Sequence, residues 1–128
     1  MKPRLVTVLG VAVGALLLSG PIVAHHSQSV FDLQHLTNMT GDVTEFEFVN
    51  PHVVIHLNVK NEKGQVERWL ISSTAPNMLQ RMGWNRHTLK PGDRITVTGN
   101  RNKEGHPLMY LRKIVLPNGE AVNVAGAN

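Results

Sequence analysis

Apolar side chains occupy every second position of residues 52–59, at Val53, Ile55, Leu57 and Val59. That period of two commits the stretch to a β-strand with one buried face. The same signature recurs between turn residues along the chain. Residues 40–49 read as a first strand in which Val43 points inward, followed by Phe46 and Phe48; the change of phase, close to Gly41, is the mark of a β-bulge. Asn50-Pro51 turns into the second strand, and Lys60-Asn61-Glu62-Lys63-Gly64 makes a hairpin turn into a third at residues 65–72. A short helix is expected next, with Ser73 and Thr74 as caps, Pro76 in its first turn, Gly83 at its end, and Met78, Leu79 and Met82 as its apolar stripe. Pro91-Gly92-Asp93 leads into a fourth strand at residues 94–99, with Ile95 and Val97 inward. A fifth covers residues 107–116, and Pro117-Asn118-Gly119 precedes a short sixth at residues 120–124.

Three strands, a helix and two more strands, with an early bulge, is the order of an OB-fold barrel. The expected fold class is therefore mainly β: a small OB-fold-like five-stranded barrel with one short helix between the third and fourth strands. A sandwich or meander competes with it, because element order alone does not fix strand pairing.

Ahead of the strands, Lys2 and Arg4 precede an uncharged run at residues 5–18, a break at Ser19-Gly20-Pro21 and a small residue at Ala24. That order reads as a signal peptide over residues 1–24, since the run falls short of the ~20 residues a membrane span needs. Residues 25–38 follow as an extended arm pinned by Phe31, and residues 39–128 as the barrel domain. The mature chain is then expected in the periplasm or secreted, without membrane insertion. The chain has no cysteine, so a disulfide framework, a lipid anchor, a thiolate zinc site and a cysteine nucleophile are all excluded. Of the formal charge of +4, Lys2 and Arg4 leave with the leader. A balance of about +2 with few aromatic rings predicts no nucleic-acid partner.

Several short motifs accompany these strands: His25-His26-Ser27 with Phe31-Asp32, Asn50-Pro51-His52, Trp69, Pro76-Asn77 with Leu79 and Arg81, Gly83-Trp84, Leu89-Lys90-Pro91-Gly92-Asp93 and Val97-Thr98-Gly99. Together they resemble a family of small exported bacterial proteins known only as a domain of unknown function. The resemblance spans nearly the whole mature chain and implies an exported, single-domain, OB-like protein; it implies no activity. Phe48 and Ala75 depart from its pattern, where a Trp and a helix-capping Ser are expected.

Cleavage after Ala24 would leave His25 with a free α-amine beside its imidazole, a chelate that favours copper(II). This resembles the amino-terminal half of the histidine brace of copper-dependent polysaccharide monooxygenases. A further ligand would come from His26, His35, His52, His56, His87 or His106, and His25, His26 and His52 are the candidate metal set. Cleavage one residue earlier would give Ala24-His25-His26, which resembles short amino-terminal copper and nickel chelators. His52 and His56 share the outer face of one strand, but ~13 Å of strand separates residues four apart, too far for both to hold one ion. Trp69, Trp84, Tyr110, Phe46 and Phe48 could stack single-stranded bases, but a small core absorbs aromatic rings in any case. Arg101, Lys103, Arg112 and Lys113 read as a solvated edge. Asp42, Glu45 and Glu47 are the candidates for a carboxylate pair, but no catalytic motif surrounds them. The expectation is a binding module, not an enzyme, with copper as the cofactor considered and a copper-dependent redox enzyme as a minor alternative. A metal-free module docking on another envelope protein or a small ligand is the other reading.

Overall fold

The computed structural model describes residues 28–124. Its strands are β1 (Thr37–Glu47), β2 (Val54–Lys60), β3 (Val66–Ser72), β4 (Arg94–Arg101), β5 (Leu108–Val115) and β6 (Ala121–Asn123), with the helix α1 (Pro76–Gln80) between β3 and β4. β1 pairs antiparallel with β2 and with β4, β2 pairs antiparallel with β3, β4 pairs antiparallel with β5, and β3 closes on β5 in parallel. Five strands therefore form a closed ring, and β6 pairs with the second half of β5. The protein is a mainly β, five-stranded barrel with one short helix between β3 and β4.

Alternation places the core where the sequence puts it. Val53, Ile55, Leu57 and Val97 are fully buried, and Ile95 is nearly so. β1 begins at Thr37, earlier than its apolar pattern suggests, because its first half is defined by pairing to β4 (Thr37 opposite Gly99), where one face needs no hydrophobic period. At Gly41 a Cβ would stand 2.3 Å from the carbonyl oxygen of Asn58, and at Gly99 one would stand 2.2 Å from that of Tyr110. These two glycines let neighbouring backbones approach as the barrel bends.

The helix differs from expectation at both its cap and its stripe. Ser73 and Thr74 do not cap it. The Ser73 amide donates to Val53 at 2.8 Å and the Val53 amide to Thr74 at 3.0 Å, so both residues prolong the β2–β3 contact. Ala75 is the N-cap and contributes no side-chain bond, and the buried Ser73 hydroxyl has no partner among the described residues. Only Leu79 of the predicted stripe is buried; Met78 and Met82 are exposed, because a five-residue helix turns little more than one residue onto the barrel.

Phe31 does pin the amino-terminal segment. It bridges to Asn102, is 4 % exposed, and lies 5.6 Å from the Tyr110 ring. Buried Asn100 secures the same segment: its side-chain amide donates to the carbonyls of Asp32 (2.8 Å) and His35 (3.0 Å), and its oxygen accepts from Arg112 Nε at 2.6 Å. At the opposite end of the β1–β4 pair, the amide of Gly92 donates to Val43 and the amide of Val43 to Asp93, both at 2.8 Å. The Asp93 carboxylate takes the Lys90 backbone amide and its ammonium, which hold its pKa below the usual aspartate value. The Leu-Lys-Pro-Gly-Asp run is thus a clamp on β1 just ahead of its bulge.

Candidate metal site

The bulge decides which side chains of β1 face outward. Val43 is opposite Leu57 and points inward; if strict alternation continued, Glu45 and Glu47 would follow it into the core. Instead the register shifts between Val43 and Glu45, so that Glu45 lies opposite His56, Phe46 opposite Ile55 and Glu47 opposite Val54. Thr44 is the additional residue, and its hydroxyl donates to the His56 carbonyl at 3.3 Å. Ile55 is fully buried, so His56 beside it must face outward. Past the bulge, Phe46 packs against the core while Glu45 and Glu47 emerge beside His56.

Glu45, Glu47 and His56 each present a ligand atom, and these atoms all lie within 4.8 Å of one another. His56 Nε2 is hydrogen-bonded to Glu47 Oε1 and stands 4.0 Å from Glu45 Oε2. The His56 side chain is 20 % exposed and that of Glu45 65 %. The imidazole is therefore held by the wall, while the Glu45 carboxylate is free to swing. One imidazole nitrogen and two carboxylate oxygens are donors for a divalent transition metal; at ligand distances of ~2.1 Å the donors of one tetrahedral ion stand about 3.4 Å apart, a spacing rotation of Glu45 can reach.

The residues expected to bind metal are distributed differently. His25 and His26 lie outside the described residues. His52 is exposed and stands apart from the cluster; it precedes β2, following a cis Asn50-Pro51 bond. His35 is engaged by Asp32 at 2.7 Å and His106 by Glu104 at 3.1 Å. Asp42 pairs with Arg94 at 2.9 Å and belongs to no carboxylate pair. The sequence offers Glu45 and Glu47 as part of a carboxylate group and His56 as a separate metal ligand; their combination is what it does not show. The phase change between Val43 and Phe46 was the available signal, because it alone puts both glutamates on the histidine's side.

Two recesses flank Phe46. One of about 400 Å³ is lined by Glu45, Phe46, Arg86, His87 and Leu89, among others; the second, of about 510 Å³, is lined by Glu47, Phe48, Asn85 and Arg86 as well as by Phe46. Trp69 and Trp84 are core residues, at 3 % and 5 % exposure. Phe46 lies 6.3 Å from Trp84 and 5.8 Å from Phe48. The basic cluster is not simply a solvated edge. The Arg101 guanidinium lies 4.8 Å from the centre of the Trp69 ring and that of Arg112 4.9 Å from Tyr110, so both cations cover aromatic faces.

Residues 14–109 match a family described as a family of unknown function, DUF6152, and the chain belongs to that family. No curated protein matches it. Among solved structures it is similar to the mitochondrial single-stranded DNA binding protein Rim1 from S. cerevisiae, at 12 % identity and a TM-score of 0.49, with 64 % of this chain and 92 % of that one covered. It is also similar to the N-terminal domain of the PriB protein from Thermoanaerobacter tencongensis, at 18 % identity and a TM-score of 0.46, covering 65 % and 96 %. These likenesses concern the fold. They also correct one expectation, the exclusion of nucleic acid: a single-stranded DNA binding protein is among the proteins of similar structure. A net charge summed over a whole chain does not measure the charge of one face, so a small balance was not grounds for that exclusion.

Proposed function

We propose that this chain is an exported, periplasmic module that carries one divalent transition-metal ion, copper(II), on the outer wall of its barrel. The observation that carries the reading is the convergence of Glu45, Glu47 and His56 on one patch. Copper stands highest among the divalent first-row metals for nitrogen and oxygen donors, and two carboxylates offset its charge. The leader-like order of residues 1–24 supplies the second half of the reading. Its removal would leave His25 at the amino terminus, where amine and ring together add two nitrogen donors.

Chain geometry supports such a completion. From His56 the wall runs through Leu70, Leu108 and Asn102 to Phe31, each the neighbour of the last. Four strand spacings along that curved wall amount to ~19 Å. The six residues from Phe31 back to His25 span about 20 Å fully extended, shortened by the 3-10 turn at Gln28–Val30. Exposed His52 has no share in the cluster.

The test is a copper titration of protein beginning at His25, followed by electron paramagnetic resonance. One copper bound per chain is expected. His56→Ala and Glu47→Gln should each weaken it at least tenfold, and an additional Met ahead of His25 should remove its nitrogen donors from the spectrum. Copper affinity unchanged by both wall substitutions would overturn the site, and an intact leader on protein from the envelope would overturn the cleavage and with it the His25 donors.

A further inference from the structure

The metal face borders a cation that has no partner among the described residues. Arg86 is exposed, lines both recesses beside Phe46, and pairs with no carboxylate among the described residues. Its neighbours differ in this respect. The Lys90 ammonium is held by Asp93 at 2.8 Å, and Asp42 already holds Arg94. The recess of about 400 Å³ is thus lined by Glu45, by Arg86, His87 and the Asp93-bound Lys90, and by apolar Phe46 and buried Leu89.

The charges of this recess give it a conditional preference. Without metal, Glu45 shares this recess with Arg86 and Glu47 shares the second one with it, so the two carboxylates offset the guanidinium and an anion gains nothing there. A divalent ion on Glu45, Glu47 and His56 cancels both carboxylates and leaves the guanidinium uncompensated. Glu45, Glu47, His56 and the amine and ring of His25 make five donors, which leave one position of a six-coordinate ion open. Arginine presents paired N–H donors that match a carboxylate in two-point contact.

Resting on the metal reading above, we propose that the loaded site takes a small organic dicarboxylate. One carboxylate ligates the ion, the other pairs with Arg86, and the carbon chain lies over Phe46 and Leu89. Metal and acid then bind together: each tightens the other by the same factor, because the coupling between two bound ligands is reciprocal.

Equilibrium dialysis of labelled succinate tests this, with copper-loaded protein, metal-free protein and free copper at the same concentration as separate chambers. Succinate should bind the loaded protein at least tenfold more tightly than either of the other two. Arg86→Ala should abolish that gain while changing copper affinity, measured without succinate, by less than threefold. Arg86→Lys should retain part of it, since the charge survives and the two-point contact does not. Equal succinate uptake with and without copper, or an undiminished gain in Arg86→Ala, would overturn the dicarboxylate site and leave the metal site standing. Failure of the protein to bind copper in the absence of succinate would overturn both.

Discussion

Single residues of this chain are placed by demands that differ from one position to the next. Gly41 is required by space. A methyl group there would press on the Asn58 carbonyl and on Leu57 Cγ, 2.9 Å away, with backbone on one side and a core side chain on the other. Gly41→Ala should destabilise the barrel by about 1–3 kcal/mol or more, as overpacking of a closed interior does, measured by urea denaturation. A change below about half a kcal/mol would mean that β1 relaxes freely at this point. Asp93 is placed by charge. Its carboxyl is held below the normal aspartate value chiefly by the hydrogen bond from the Lys90 side chain. A depressed carboxyl contributes stability that is complete above its unfolded value of 3.8 and is lost as pH falls through the lower folded value. Asp93→Asn should therefore be less stable than the parent at neutral pH, and the gap should close on acidification below that value. A gap that widened towards acid pH would reverse the assignment.

At the scale of elements, alternation was a reliable guide where one face is buried and the other wet. β2 and the residue before it show this best: Val53, Ile55 and Leu57 are all fully buried, as their spacing requires. Ile55→Ala should cost on the order of 2–5 kcal/mol in chemical denaturation, and a cost below half a kcal/mol would mean that the strand runs in the other phase. The helix was legible only in outline. Pro76 and Gly83 marked its neighbourhood, but Ser73 and Thr74 were drawn into pairing with Val53, a tertiary contact that capping preferences do not report. The bulge was legible as a change of phase, yet its consequence was not. A bulge seen in one strand says which of its own residues turn outward; that Glu45 comes to rest opposite His56 depends on the β1–β2 register, set by the turn at Asn50-Pro51 between them. The candidate site is therefore legible as a pair of carboxylates and a separate histidine, and becomes one constellation only through strand pairing.

For the whole molecule, closure of the ring and the absence of cysteine pose the same requirement: a barrel this small must hold itself together by packing, or by packing and a bound ion. The metal reading makes that second contribution measurable. A ligand that binds only the folded state adds about 2.7 kcal/mol when its free concentration is a hundred times its dissociation constant. For a domain of this size each kcal/mol raises the melting temperature by roughly 4–8 °C, so saturating copper should raise it by about 10 °C or more. Because the imidazole and amine donors must be unprotonated to bind, the rise should shrink as pH falls from 7.5 towards 5. In His56→Ala the apo melting temperature should stay close to that of the parent, since the ring is on the outer wall, while the copper-induced rise should largely disappear. Scanning calorimetry of both proteins, with and without copper at two pH values, separates ligation at this wall from adventitious binding elsewhere: a rise of equal size in parent and variant would place the ion away from β1 and β2.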